Sequence, residues 1–151
     1  MTVDPHGLIY VAESDSNTIA LGTTGPLLTA IVTGNDLSVD GQPLQGTADP
    51  LPAGSLIDFG NVSPGSTEQV TIQVTNSGAT TFSNLAVHLN GGSNTGAFHI
   101  TTPSTSPLFP LETVSFTISF KPAKSVTSTA KVNITSTGGG LNSYSFSIQG
   151  E

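Results

Sequence analysis

Five runs of strict apolar–polar alternation occupy the last two-thirds of this chain. They are Val70-Ile72-Val74, Leu85-Val87-Leu89, Val114-Phe116-Ile118-Phe120, Ala130-Val132-Ile134 and Tyr144-Phe146-Ile148. A period of two gives a strand one dry face and one wet face. Several such strands in succession, with turn signals between them, predict an antiparallel sandwich or barrel. Threonine, serine, asparagine, glutamine, histidine or lysine fills most of the intervening places, so the wet faces hold little that can do chemistry.

The segment 56–151 reads as seven short strands. Ile57 and Phe59 mark the first, closed by a turn at Gly60 to Gly65 in which Pro64 and Gly65 break the strand. The second covers 68–76 and stops at Asn76-Ser77-Gly78, and the third covers 84–90 and ends at Gly91-Gly92. Phe98 and Ile100 mark a short fourth strand. A loop spaced by Pro103, Pro107 and Pro110 leads to the fifth, 113–121, stopped by Pro122. The sixth covers 128–136, and Gly138 to Gly140 reads as a hairpin connector into the seventh, 143–149. About twenty inward apolar side chains result, enough for an independent core.

Composition removes several partner classes. Charged residues make up 9% of the 151 positions and the formal net charge is −7. There is no arginine, and the only lysines are Lys121, Lys124 and Lys131. No basic stripe exists to neutralise phosphates, so nucleic acid is not an expected partner, and an anionic membrane surface is disfavoured likewise. Serine and threonine together make about a quarter of the chain, so its wet faces are hydroxyl-rich rather than ionic. The absence of cysteine excludes disulfides, thiolate metal sites and cysteine nucleophiles. No apolar run reaches the length of a membrane span, and residues 1–6 lack the basic and apolar regions of a signal peptide.

The order of motifs is specific. Ile57-Asp58-Phe59-Gly60-Asn61-Val62, Pro64-Gly65, Val70 to Asn76 with Gly78, Phe98-His99-Ile100, Phe116 to Phe120 with Lys121-Pro122, and Ile148-Gln149-Gly150 follow one another over residues 55–151. This series resembles the immunoglobulin-like repeat of the abnormal-spindle/hydin family, whose bacterial relatives are the choice-of-anchor D modules of exported proteins. The resemblance implies an all-β, seven-stranded, immunoglobulin-like antiparallel β-sandwich, non-catalytic, used as a spacer or binding platform.

Residues 1–45 form a different region, expected to be an extension of β-strands, with 46–55 as linker and 56–151 as the sandwich. Val3 to Ser14, followed by Ser16-Asn17-Thr18-Ile19, is similar to one strand pair of an NHL-type β-propeller repeat, departing from it where Ala20-Leu21 replaces a basic position. A propeller needs at least four blades and a lone hairpin is marginal in water, so these strands are expected to borrow a sheet. Leu27-Leu28-Thr29-Ala30-Ile31-Val32 is a further strand, uncharged and free of proline, hence aggregation-prone unless paired. A turn at 33–36 then leads to Leu37-Ser38-Val39.

Candidate chemistry is sparse. His88 takes an outward strand position and His99 stands between the inward Phe98 and Ile100, while His6 is far off in sequence. Asn35 to Gly41 places oxygen donors at alternate positions, which makes Asp36 and Asp40 a calcium candidate; the same residues are ordinary turn formers. Asn61-Val62-Ser63 and Asn133-Ile134-Thr135 are glycosylation sequons. No cofactor is expected. Strand addition is the mode left to such a chain, and Leu27, Leu28, Thr29, Ala30, Ile31, Val32, Ile9 and Val11 are the expected partner-binding residues. These features predict a non-enzymatic, extracellular or cell-surface subunit that pairs strands with a second copy and so builds an oligomer or filament. The alternative is an accessory module, binding protein or carbohydrate, at the C-terminal end of a larger exported NHL-propeller protein. A third reading, a hydrolase using His88 or His99, ranks below both.

Overall fold

The computed structural model describes residues 2–3, 8–13, 18–23, 28–34, 37–44, 48–78, 80–101, 103, 107–137 and 144–151. Fourteen strands run in chain order: β1 (Thr2–Val3), β2 (Leu8–Glu13), β3 (Thr18–Thr23), β4 (Leu28–Thr33), β5 (Ser38–Val39), β6 (Gln42–Pro43) and β7 (Asp49–Pro50), then β8 (Leu56–Asp58), β9 (Glu68–Asn76), β10 (Ser83–Ser93), β11 (Phe98–Ile100), β12 (Thr113–Phe120), β13 (Ser128–Thr137) and β14 (Tyr144–Gly150). One 3₁₀ turn, Thr95–Ala97, precedes β11, and no α-helix occurs among the described residues.

Two sheets form the sandwich. One has the order β10-β13-β14-β8-β5-β6 and the other β11-β12-β9-β4-β7. Each of the seven strands expected within 56–151 is present as β8 to β14. Alternation explains their register: Val70, Ile72 and Val74 on β9 stand opposite Ile118, Phe116 and Val114 on β12, while Val132 faces Phe146 across β13 and β14. These side chains, with Ile57, Phe59, Ile134 and Ile148, lie in the buried core. The pairing of β8 with β14 is parallel, Ile57 beside Ile148.

The motif 57–62 is explained by the same junction. Asp58 Oδ1 accepts from the Gly60 N–H, and its Oδ2 accepts from Gln149 Nε2, both at 2.8 Å. Phe59 joins Phe98 and Phe120 in an aromatic cluster with centroids 4.8 to 6.0 Å apart. Gly150 lets this cluster close, because a Cβ there would stand 2.5 Å from the Phe120 ring.

The structure corrects the expected boundary. The sandwich does not begin at residue 56, for β4 pairs antiparallel with β9 from Leu28↔Asn76 to Thr33↔Thr71. β5 pairs with β8, and β7 pairs with β4 from within the expected linker. The supposed partner strand is therefore already used: Leu28, Ala30 and Val32 are buried in the core, and Thr29 and Ile31 belong to the same ladder. The physical reason is that β9 needs a neighbour on its second edge, and Leu28, Ala30 and Val32 extend its inward row. Leu27 and Asp36 lie outside the described residues, as do His6 and Gly138 to Gly140. In the segment 2–23, β2 pairs with β3, Leu8↔Thr23 to Glu13↔Thr18, and β1 pairs with β2. Ile9 and Val11 thus sit on the central strand of a three-stranded sheet.

Tyr144, 8% exposed, is a weak point in the core. Its hydroxyl is buried with no hydrogen-bond partner among the described residues, and desolvation raises its pKa above the ordinary 10.0. A raised pKa means that the neutral phenol's share of stability is present below pH ~10 and lost as pH rises through the folded value. Tyr144→Phe should therefore be neutral or stabilising by up to about 1 kcal/mol at neutral pH. It should also blunt the loss of stability in alkali. Urea midpoints of both proteins at neutral and alkaline pH check this; a Phe variant clearly weaker at both pH values refutes it.

Candidate interaction surfaces

The candidate chemical residues are scattered rather than gathered. His88 is exposed on β10 and His99 is exposed on β11, in different sheets. Asp40, exposed and at φ 50°, spends a carboxylate oxygen on the Leu56 N–H at 2.8 Å. That is a turn-former's role, and no group of three or more His, Asp or Glu side chains able to hold a metal occurs among the described residues, which do not include Asp36. Asn61 is exposed, whereas Asn133 has a buried carbonyl oxygen without a partner among the described residues.

The two sheets of the sandwich end, among the described residues, in four edge strands, of which β6, β7 and β11 are two or three residues long. β10 is the long edge, with 11 residues. Its pairing with β13 is interrupted between Ser83 and Ala86 and between Asn90 and Ser93. Positive φ at Asn84, Gly91 and Gly92 accompanies these irregularities, and bulges of this kind twist an edge away from further pairing.

A built feature lies at one end of the sandwich, where sequence reasoning saw only a proline-spaced loop. Asn76, fully buried at the end of β9, clamps the segment 107–112 from both its backbone and its side chain. Its Nδ2 donates to the carbonyls of Leu108 at 3.1 Å and Thr80 at 2.8 Å, and its Oδ1 accepts from Gly78 N–H at 3.1 Å. Its N–H donates to Glu112 O, and its own carbonyl accepts from Leu111 N–H at 2.7 Å. Phe82 and Leu108 exchange two backbone bonds beside it. The clamped segment is a turn closed by Glu112 N–H on Phe109 O, with Pro110 second and Leu111 third at φ 66°. Positive φ at the third place is the mark of a type II turn, where glycine is usual. Leucine there costs about 1–2 kcal/mol and, being 81% exposed, recovers nothing from burial. Phe109 beside it is 53% exposed. The signal in the sequence was a Phe-Pro-Leu triplet where a surface turn should be polar.

At the opposite end lies an open cup of about 360 Å³, lined by Asn94, Ala97, Pro122, Ala123 and Val126 with Lys121 and Lys124. The 3₁₀ turn and the β12–β13 connection build it, held by Lys121 N–H on Ala97 O at 2.8 Å and Asn94 Nδ2 on Thr127 O at 3.0 Å. No carboxylate lines it.

The sequence model described as abnormal spindle-like microcephaly-associated, ASPM-SPD-2-Hydin (ASH), matches residues 46–143. No match was found among curated proteins. Among solved structures, the ASH/PapD-like domain 7 of human CEP192 is 15% identical, with 78% of this chain and 85% of that one covered and a TM-score of 0.47. The secreted serine protease VesC from Vibrio cholerae is 24% identical, with 62% and 21% covered and a TM-score of 0.46. A family 123 glycoside hydrolase from Clostridium perfringens is 9% identical, with 83% and 27% covered and a TM-score of 0.51; that likeness concerns the fold. The chain thus spans about a quarter or less of these two enzymes. The propeller resemblance of residues 3–22 gains no support from these comparisons.

Proposed function

The chain belongs to the ASH (ASPM-SPD-2-Hydin) family, and from that premise we propose that it serves outside the cell as a non-enzymatic structural and binding module with a protein or carbohydrate partner. The family's immunoglobulin-like fold is non-catalytic. The observation that carries the reading is the placement of the titratable groups. His88, His99 and Asp40 sit singly on different strands and turns around a core of apolar side chains. The chain's chemistry is compatible with an extracellular setting, since without cysteine it has no thiol to oxidise there. Among the described residues no helix is long and apolar enough to cross a membrane.

A filament made by strand addition of Leu28–Thr33 is not part of this proposal, because that strand is the inner neighbour of β9. Strand pairing with a partner remains open to β3, whose described ladder partner is β2 alone.

A screen of ester, glycoside and peptide substrates should yield no turnover, and external protease applied to intact producing cells should remove the protein. Turnover abolished by His88→Ala or His99→Ala would overturn the non-enzymatic reading. Full protection from external protease would overturn the extracellular one.

A further inference from the structure

Among the residues whose side chains are described, from 28 onward, three large apolar ones are exposed, Phe109, Leu111 and Val126. Two form the tip of the Asn76-clamped turn and the third lines the cup. Strand β12 runs from one place to the other, since Leu111 lies just before Thr113 and Lys121 directly follows Phe120. Eight residues of strand separate them by roughly 27 Å, so the tip cannot reach the cup of its own sandwich.

We propose that the Phe109–Leu111 tip of one copy docks in the Ala97–Pro122–Ala123–Val126 cup of a second copy, joining sandwiches head to tail. The tip is apolar, and Ala97, Pro122, Ala123 and Val126 give the cup apolar lining to receive it. Glu112, the one charge in the segment 107–113, flanks the tip, while Lys121 and Lys124, two of the three cations in a chain of net charge −7, flank the cup. Docking therefore brings a carboxylate to two ammonium groups. Size fits as well: about 360 Å³ is at the small end of ligand pockets, about 300–1,000 Å³, and suits one or two large side chains. The strained leucine gains a reason, because a left-handed backbone at Leu111 turns an apolar side chain outward where glycine would present none. A contact between different patches at opposite ends is heterologous, and unless its rotation closes a ring it propagates as a chain of copies. Two side chains and a rim bury little area, which makes the contact weak and concentration-dependent.

This inference goes beyond the module reading, which a monomeric protein would leave standing. Sedimentation velocity on the full chain from about 0.02 to 1 mM tests it, since weak interfaces of this size populate in that range. Weight-average mass should rise with concentration. Phe109→Ser/Leu111→Ser, and separately Leu111→Asn, which tolerates the turn's positive φ, should weaken association at least tenfold while keeping the melting temperature. Lys121→Glu/Lys124→Glu should do the same from the cup side. Mixing the tip-defective and cup-defective proteins should restore one interface and yield dimers that do not grow. A wild-type chain that stays monomeric at about 1 mM overturns the proposal. So does association that survives the tip substitutions, or a mixture that fails to form dimers while wild type associates.

Discussion

A chain lacking residues 1–33 will fail to form a stable sandwich, whereas one lacking residues 1–23 will keep it. The difference is β4. Its loss removes the buried side chains of Leu28, Ala30 and Val32 and opens the second edge of β9 along the whole Leu28↔Asn76 to Thr33↔Thr71 ladder. Burial of a Leu or Val contributes about 1.5–3 kcal/mol, and each ladder hydrogen bond about 1 kcal/mol net. The sum is of the order of 5–10 kcal/mol, comparable with the whole stability of a domain this size. A point variant reports on the same ladder. The Ala30 carbonyl accepts from Leu51 N–H at 2.9 Å, so Ala30 turns its backbone groups away from β9, and Ile31, paired with Gln73, turns its own toward it. Ile31→Pro should then be severely destabilising through the lost donor and the ring's clash with the ladder. Far-ultraviolet circular dichroism and urea unfolding decide the matter. Equal midpoints for the full chain and the 1–33 deletion would mean that β4 is not part of the folded sandwich.

The error that this prediction reverses has a physical source. β8 to β14 were legible because each carries a local period of two, or a pair of apolar residues bounded by glycine or proline, although most of their partners are far off in sequence, as Thr75↔Thr113 and Ser93↔Thr129 show. Leu28 to Val32 half hides its alternation: Ile31 on the outer face is as apolar as Ala30 and Val32 within, so the letters from 30 to 32 show a continuous apolar run. Its partner, β9, lies some forty residues away, a choice made by the open edge of β9 and not by any local signal. The tip and the cup were hidden for a related reason. Positive φ at Leu111 has no signature in a leucine, and the cup unites residues 94–97 with 121–128 only after β11, β12 and β13 are in place. His88 and His99 were legible as solvated strand positions because alternation alone fixes their face.

Asn76 is the position where a turn signal concealed a core residue, and its replacement should have the largest effect of any polar substitution in the chain. Asn76→Ala removes the side-chain partners of Thr80 O and Gly78 N–H and one of two donors to Leu108 O. Buried groups left unpaired cost about 1–3 kcal/mol each, so a loss of about 2–4 kcal/mol is expected, with the 107–112 turn released together with its Phe109–Leu111 tip. Asn76→Asp is the sharper probe. It keeps the acceptor for Gly78 but turns the donating nitrogen into an oxygen facing two carbonyls. Burial and those carbonyls oppose the charged carboxylate, so its pKa in the folded state is raised above the ordinary carboxylate value. A raised pKa places the favourable contribution below the unfolded value and loses it as pH rises through the folded one. The aspartate variant should therefore be the weaker of the two at neutral pH and should regain stability relative to wild type as pH falls toward about 4, where the protonated carboxyl can again donate one hydrogen bond. Urea unfolding of wild type, Asn76→Ala and Asn76→Asp across that range gives the answer. An aspartate deficit that stays constant with pH would mean that Asn76 does not donate to the carbonyls of Leu108 and Thr80, and that the turn is held by its backbone bonds alone.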